Sequence, residues 1–205
     1  MDDGQIDWVI SYYKDMKLKV LPSVYDPAED SFLLADNLDI KQGDKVLDIG
    51  CGSGIQSLVA AKKGAKVIAV DINPEAVKNT KINAADLDLE DLIQVRQSNL
   101  FENVPETDFD VIIFNPPYLP SGGGLNNALS KAWDGGKTGR EIISDFLKEA
   151  KKHLKKGGKI FFVISSITGK EEVEKTLKEA GYKSKVIASQ KMFFEELFVF
   201  EAERV

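Results

Sequence analysis

The chain has 205 residues, of which 43% are hydrophobic and 29% are charged, a composition typical of a soluble globular domain. Its single cysteine, Cys51, excludes an internal disulfide and a cysteine-cluster metal site, and its single histidine, His153, leaves little for a histidine-based zinc site or triad, so no metal is expected. The formal charge of −6 argues against a domain that grips the phosphate backbone of nucleic acid by itself.

No apolar run approaches the length of a membrane span, and the acidic start Met1-Asp2-Asp3 differs from the basic start of a signal peptide. We therefore expect a cytoplasmic protein with no membrane contact. No Pro/Ser-rich linker divides the sequence, so one domain is predicted over residues 1–205.

Residues 1–40 are predicted to form a helical segment. Apolar residues from Ile6 to Tyr13 recur at roughly helical spacing, which indicates a short packing helix over residues 5–16. A second helix is predicted to start at Asp26-Pro27, with Asp26 as its N-cap and Glu29 completing a capping box. Alternatively, the two carboxylates and the hydroxyl of this turn, which ends at Ser31, could face a cationic ligand.

A glycine-rich turn follows the first predicted sheet strand. Residues 45–49 read as a buried strand, Gly50-Cys51-Gly52-Ser53-Gly54 as the turn, and residues 55–63 as a helix. This arrangement is typical of nucleotide-binding turns, because glycines let a ligand approach the backbone and helix N–H groups point at it. The next strand, residues 66–70, ends at Asp71, where a ribose hydroxyl pair would need an acceptor.

Asp48 helps to choose between two classes of cofactor. It stands just before Gly50, where a carboxylate would repel a pyrophosphate and attract an ammonium or sulfonium group. A cationic adenosyl ligand therefore fits this turn better than a dinucleotide does.

A third strand, residues 93–97, follows a helix that is predicted over residues 74–84 with Asn73 as its cap. Beyond that strand, Asn99 could hydrogen-bond an adenine edge and Leu100 could cover the adenine face. Ser-Asn is also a common turn pair, so a purely structural turn is the alternative.

The fourth strand, residues 111–114, ends abruptly in Asn115-Pro116-Pro117-Tyr118. Pro116 has no backbone N–H, so the sheet ladder cannot continue past Asn115. An amide side chain, two proline carbonyls and an aromatic ring are left at the end of the strand. This set can accept two hydrogen bonds from an NH₂ group and stack on something planar.

The glycine-rich residues 119–138 are predicted to be a substrate-shaping loop, with Trp133 and Arg140 as its anchors. Plain packing is an equally good interpretation of Trp133. The remaining elements are predicted as helices at 140–154, which Lys155 to Gly158 would end, and 171–180, and as strands at 159–164, 182–189 and 196–203.

The last two strands are joined by so few residues that they must pair antiparallel. The sequence therefore predicts an α/β fold with a seven-stranded, mostly parallel sheet, one antiparallel strand near its edge, and helices on both faces.

Three of these segments resemble class I S-adenosylmethionine-dependent methyltransferases that act on amino groups: residues 46–54, Asp71 and residues 115–118. Residues 25–31 and 132–141 further resemble the HemK-like branch, and specifically its archaeal and eukaryotic glutamine methyltransferases. Those enzymes modify the Gly-Gly-Gln loop of class 1 translation termination factors. Bacterial HemK relatives carry an added N-terminal helical domain, which is not expected in this chain.

The resemblance implies a Rossmann-like fold, S-adenosylmethionine as cofactor, a termination factor as substrate, and a small zinc-binding activator subunit that pairs along the sheet edge. It also implies the site residues. The cofactor set is Ser31, Asp48, Gly50, Gly52, Gly54, Asp71, Asn99, Leu100 and Asn115, the substrate set is Asn115, Pro116, Pro117 and Tyr118, and the catalytic residues are Asn115, Pro116 and Tyr118. The family usually has Asp where this chain has Asn99, which can both donate and accept a hydrogen bond, so adenine recognition is expected with altered strength.

Three alternatives remain open. The same Asn-Pro-Pro-Tyr chemistry serves an N6-adenine or guanine-N2 methyltransferase of DNA or RNA, against which stand the acidic charge and the lack of an obvious target-recognition domain. A protein lysine methyltransferase is disfavoured because a charged amine lacks the planar fit. A catalytically idle scaffold would be expected to have lost the Asn-Pro-Pro-Tyr residues.

Overall fold

The computed structural model describes residues 7–118 and 140–205. The predicted loop at 119–138, with Trp133, lies outside the described residues. The strands are β1 (Val9–Tyr13), β2 (Met16–Val20), β3 (Lys45–Ile49), β4 (Lys66–Asp71), β5 (Ile93–Gln97), β6 (Phe109–Phe114), β7 (Leu154–Ser165), β8 (Tyr182–Lys191) and β9 (Glu196–Arg204). The helices are α1 (Glu29–Asp36), α2 (Ile55–Lys62), α3 (Pro74–Asp86), α4 (Glu141–His153) and α5 (Lys170–Glu179), and a short 3-10 helix spans Ser166–Thr168.

Seven strands form one sheet in the order β5-β4-β3-β6-β7-β9-β8. The pairs from β5 to β7 are parallel, whereas β9 is antiparallel to both β7 and β8. The predicted seven-stranded α/β fold, with one antiparallel strand near the edge, is confirmed.

Both faces of the sheet are covered, which explains why β6 is apolar without interruption from Val111 to Phe114. Along β6, Val111 and Ile113 belong to the apolar core on one face, and Ile112 and Phe114 belong to the core on the other. Buried residues of α1 and α2 complete the first core, and those of α4 and α5 complete the second. In the part of the chain that the structure describes, no helix is long and apolar enough to cross a membrane.

The predicted helix over residues 5–16 is wrong, because β1 and β2 form an antiparallel hairpin there. The strand signal is the alternation in β2, whose apolar residues Met16, Leu18 and Val20 are buried while the lysines between them are exposed or half-buried. The apolar residues near the chain start also fit a helical spacing, and over so few residues that pattern cannot separate the two structures.

Asparagine side chains of α3 bind the second edge of β2. Asn79 Oδ1 accepts the Leu21 N–H at 2.7 Å, and Asn83 Oδ1 accepts the Lys19 N–H at 2.9 Å. Both side-chain amides also donate to the Lys19 carbonyl. The two asparagines thus act as a third strand would, and they fix the hairpin to the helix.

Two helix ends differ from the prediction. The N-cap of α1 is Ala28 without a side-chain cap, and Asp26 instead accepts a hydrogen bond from the Ser11 hydroxyl of the hairpin. After α4, the chain enters β7 directly at Leu154, so the residues up to Gly158 are strand and not a helix exit. The predicted cap of α3 is confirmed, since the Asn73 side chain accepts the Glu75 N–H at 3.0 Å.

Candidate active site

A cavity of about 810 Å³ opens at the carboxyl ends of β3, β4, β5 and β6, where ligands of open α/β sheets usually bind. The lining includes eight residues that the sequence predicted for the site: Ser31, Gly50, Gly52, Asp71, Asn99, Leu100, Asn115 and Pro117. Four predicted residues lie outside the lining: Asp48, Gly54, Pro116 and Tyr118.

The glycine-rich turn joins β3 to α2 and is fixed by hydrogen bonds to β4. The Gly50 N–H donates to the Val70 carbonyl at 2.8 Å, and the Gly52 N–H donates to Asp71 Oδ2 at 3.0 Å. Gly54 has a φ of +91°, and a Cβ there would lie 3.0 Å from Thr80 Cγ2 on α3. The structure thus explains Gly54 by close packing between α2 and α3, and its cofactor contact stays a prediction.

Asp71 presents a fixed carboxylate to the cavity. Its Oδ2 accepts the Gly52 N–H, and its Oδ1 accepts the Asn73 N–H at 2.8 Å. Burial raises the pKa of Asp71, and these backbone hydrogen bonds oppose the rise. Each oxygen still has a lone pair, so Asp71 can accept from a hydroxyl pair in the cavity.

Asp48 lies beneath the turn, with only 1% of its surface exposed. Its Oδ2 accepts the Ser57 hydroxyl at 2.5 Å, while its Oδ1 has no hydrogen-bond partner among the described residues. Burial raises the pKa of Asp48 to about 7, and the charge of Asp71 adds to the rise. A cation in the cavity would favour the ionised form of Asp48, although the side chain does not line the wall.

At the end of β5, Asn99 and Leu100 form a turn, as the structural alternative predicted, and they also line the cavity, so their contact with an adenine stays a prediction. Asn99 Nδ2 donates to Glu102 Oε1 at 2.9 Å. Leu100 has a φ of +45°, and the Ser98 hydroxyl donates to its carbonyl at 2.9 Å. With its amide nitrogen bound to Glu102, Asn99 has Oδ1 to offer a ligand.

The end of β6 is tied to the first turn of α1 through Asn115. Asn115 Nδ2 donates to Asp30 Oδ2 at 3.0 Å and to the Ser31 hydroxyl at 3.1 Å. Since only the amide nitrogen can donate to a carboxylate, these contacts fix which way the Asn115 side chain points. Asn115 Oδ1 is buried and has no partner among the described residues.

Asp30 organises this end of the cavity, a role that the sequence did not predict. It is 5% exposed and also accepts hydrogen bonds from the Tyr25 hydroxyl at 3.0 Å and the Tyr118 hydroxyl at 3.3 Å. Burial and then the Asp30 charge raise the pKa of both tyrosines, so both remain neutral donors. The available signal was the polar turn from Tyr25 to Ser31, which was interpreted as a cap or as a cation-facing cluster.

The 3-10 helix binds both residues that flank the undescribed stretch. The Thr168 hydroxyl donates to the Tyr118 carbonyl at 2.7 Å, and Arg140 Nη1 donates to the Thr168 carbonyl at 2.6 Å. Arg140 is thus held by the 3-10 helix, and its role as an anchor of the 119–138 loop stays a prediction. Pro116 is buried behind the wall, and its neighbour Pro117 lines the cavity. Across residues 7–118 and 140–205, no group of three or more His, Cys, Asp or Glu side chains is placed to hold a metal ion.

Comparisons with known proteins identify a methyltransferase family across most of the chain. The model of the methyltransferase small domain matches residues 22–194. The protein MJ0928 of Methanocaldococcus jannaschii, provisionally named a protein N5-glutamine methyltransferase, is 49% identical over 93% of this chain and 96% of its own. Methyltransferase HEMK2 of Homo sapiens is 30% identical over 86% of this chain and 87% of its own.

Among solved structures, the chain is similar to one in the E. cuniculi Mtq2-Trm112 complex, which is described as responsible for the methylation of the eRF1 translation termination factor. The TM-score is 0.71 at 23% identity, with 89% of this chain and 99% of that chain covered. At this level of identity the likeness establishes a common fold.

Proposed function

Because the chain belongs to the class I S-adenosylmethionine-dependent methyltransferases of the methyltransferase small domain family, we propose that it methylates the side-chain amide nitrogen of a glutamine in the Gly-Gly-Gln loop of a class 1 translation termination factor. The likeness to MJ0928 and to the eRF1-methylating complex supports this substrate.

The described residues fit the cofactor. Asp71 is available for the ribose hydroxyls and Asn99 and Leu100 for the adenine. Asp48 Oδ1, which has no partner among the described residues, would carry negative charge beneath the turn once a cation favours its ionised form. When bound, S-adenosylmethionine supplies an electrophilic methyl group on a positively charged sulfur.

The observation that carries the proposed substrate is the buried Oδ1 of Asn115, which has no partner among the described residues. A buried acceptor without a partner is costly, and Asp30 and Ser31 hold the other end of the amide so that it cannot turn away. A planar NH₂ group of a substrate would satisfy this acceptor.

The nitrogen of a glutamine amide is a poor nucleophile, because its lone pair is delocalised into the carbonyl. Asn115 Oδ1 and the Pro116 carbonyl would accept its two N–H bonds, orient the nitrogen, and favour the positive charge that develops on it. Tyr118 would pack against the planar amide. No general base is required, because the proton can leave to water after the transfer.

The rival substrates fit the charge of the site less well. The charges of Asp26, Glu29 and Asp30 all raise the pKa of Tyr25. The charges of Asp30 and Glu195 raise the pKa of Tyr118. This end of the cavity is therefore rich in carboxylates. Such a surface repels the phosphates of DNA or RNA. It would attract a lysine, but a tetrahedral ammonium group lacks the planar fit to two acceptors.

We further propose that a small zinc-binding activator subunit pairs along the β5 edge of the sheet, and that the protein acts in the cytoplasm. The similar chain was solved in a complex of Mtq2 with Trm112, and this pairing supports the heterodimer. The other edge strand, β8, carries a bulge between Val186 and Ala188 and several lysines, which are features that protect an edge from pairing. Ile72, which follows β4 at this end of the sheet and also lines the cavity, is 64% exposed.

The decisive experiment incubates the chain with methyl-labelled S-adenosylmethionine and a class 1 termination factor, whose Gly-Gly-Gln glutamine is either intact or changed to alanine. We expect label on the intact factor only, at that glutamine by mass spectrometry. Label that persists on the altered factor, or that is found only on nucleic acid, would overturn the proposal.

A further inference from the structure

Two adjacent phenylalanines stand almost fully in solvent in the turn between β8 and β9. Phe193 is 91% exposed and Phe194 is 89% exposed. Their ring centroids lie 4.6 Å apart at an interplanar angle of 77°, the edge-to-face arrangement of an aromatic pair. Single exposed apolar residues are common, but a contiguous aromatic pair is typical of protein interfaces.

The backbone that carries the two rings is well held. The Met192 N–H donates to the Glu195 carbonyl at 2.8 Å, which closes the turn, and the Glu196 N–H donates to the Ser166 hydroxyl at 3.0 Å. Met192 packs against the apolar core. The rings are therefore displayed from a fixed base, which lowers the entropy cost of binding something against them.

This turn adjoins the amide-binding end of the active site. Ser166 belongs to the 3-10 helix whose Thr168 hydroxyl donates to the Tyr118 carbonyl at 2.7 Å. Glu195 directly follows Phe194, and its charge is one of those that raise the pKa of the Tyr118 hydroxyl. Ile167 lies between Ser166 and Thr168, the two residues that make these contacts, and is 52% exposed.

We propose that Phe193, Phe194 and Ile167 form a docking surface for the protein substrate, beside the point where its reactive glutamine enters. The surface would receive an apolar side chain of the substrate, and the carboxylate of Glu195, which directly follows Phe194, favours a basic residue beside it. This inference rests on the proposed function and concerns how the whole protein substrate is held, apart from the methylated loop itself.

The test compares the wild-type chain with the double variant Phe193→Ala/Phe194→Ala, with the activator subunit present in both cases. Two substrates are used, the intact termination factor and a short peptide that contains only the Gly-Gly-Gln loop. We expect KM for the factor to rise about tenfold or more, because interface aromatics commonly dominate binding. The kcat for the factor, the kinetics with the peptide and the Kd for S-adenosylmethionine should not change. Tyr12→Ala, which removes a 67% exposed aromatic ring from the hairpin, is the matched control and should leave KM unchanged.

The outcomes are distinguishable. If the wild-type chain methylates the factor and the double variant does so with the same KM, the docking surface is rejected and the proposed function stands. If the double variant loses activity equally with the factor and with the peptide, the effect lies at the chemical step, and the docking surface is again rejected. A wild-type dimer that dissociates in the double variant, seen by sedimentation, would assign the rings to self-association instead. No label on the factor from the wild-type chain would reject the proposed function, and this surface with it.

Discussion

At the residue scale, the arrangement around Asn115 divides one amide between two tasks. Its nitrogen donates hydrogen bonds to Asp30 and Ser31, and its oxygen, which has no partner among the described residues, can accept from a ligand. The division depends on a carboxylate, since a hydroxyl alone can accept or donate and would not define the direction of the amide.

Replacing Asn115 by alanine is expected to abolish methyl transfer, with a loss of at least about 10² to 10³ in kcat, because it removes an acceptor for the developing charge. The Kd for S-adenosylmethionine should stay within a few-fold, as most predicted cofactor contacts lie on other strands. Single-turnover kinetics and calorimetry measure the two quantities. Undiminished turnover in Asn115→Ala would contradict the assignment.

Asp30→Asn is expected to lower kcat by about 10- to 100-fold, the worth of a hydrogen bond to a charged group, because the acceptor that orients Asn115 loses its charge. KM for the factor and the Kd for the cofactor should change much less, which separates a positioning role from a binding role. Glu29→Gln removes the neighbouring, exposed carboxylate and is the matched control. Equal effects of the two substitutions would indicate that only overall charge matters.

Asp48 predicts a pH dependence of cofactor binding. Its pKa of about 7 means that the native apo protein keeps a proton there at pH values where an ordinary aspartate has lost it. The contribution of Asp48 to stability therefore falls as pH rises from about 4 to about 7. A cationic ligand stabilises the ionised form, so the affinity for S-adenosylmethionine should rise with pH up to about 7, by at most about tenfold per pH unit, and then level off.

Calorimetry across this range tests the dependence, and Asp48→Asn should flatten it. The neighbouring groups are Asp71, whose pKa is also raised by burial, and Cys51, whose thiol pKa lies well above its usual value and adds no charge below about pH 8. If the affinity for S-adenosylmethionine still rises with pH in Asp48→Asn, the pH dependence is assigned to Asp71 instead.

At the element scale, side chains of α3 hold the hairpin of β1 and β2 in place. They make the hydrogen bonds that the backbone of a neighbouring strand would make in a larger sheet. Asn79 and Asn83 are fully buried, and each binds a backbone N–H and a backbone carbonyl of residues 19–21, at the end of β2. Val20 of the hairpin belongs to one apolar cluster with Val24 and Ala76, and both of these line the cavity. The fixed hairpin therefore supports the cofactor end of the site.

Asn79→Ala should lower the free energy of unfolding by about 1–3 kcal/mol, because it leaves the buried Leu21 N–H without its acceptor, while the Lys19 carbonyl keeps its hydrogen bond from Asn83. Chemical denaturation measures the change, and hydrogen exchange at the Leu21 amide should become faster. Lys81→Ala, an exposed change on the same helix, should alter neither. An unchanged exchange rate at Leu21 would show that the asparagine does not hold the strand.

The elements that the sequence predicted well are those with strong local signals. The strand of residues 45–49 was predicted with its observed bounds because Val46, Leu47 and Ile49 are apolar and glycines follow the strand, and Pro116 marked the end of β6. The hairpin was missed because its strands are short. The role of Asp30 was missed for a different reason: its partner Asn115 lies 85 positions away, so the contact exists only in the folded chain.

At the scale of the whole molecule, the predicted membership of the class I methyltransferases is confirmed by the matched domain and by the 49% identical relative. Family membership does not reveal which surfaces meet other proteins. The described structure has two sheet edges with different chemistry, and the choice between them decides where an activator subunit would sit.

Hydrogen exchange with and without the activator subunit tests that choice. The complex should protect the amides of β5 and the neighbourhood of Ile72, because pairing along this edge would engage unpaired backbone groups and bury exposed apolar surface. The amides of β8 serve as the internal control, since its bulge and lysines disfavour pairing and its exchange should not change. Binding should also raise the Tm in proportion to the logarithm of activator concentration. Protection at β8 in place of β5, or an isolated chain that is monodisperse and fully active alone, would contradict the proposed heterodimer.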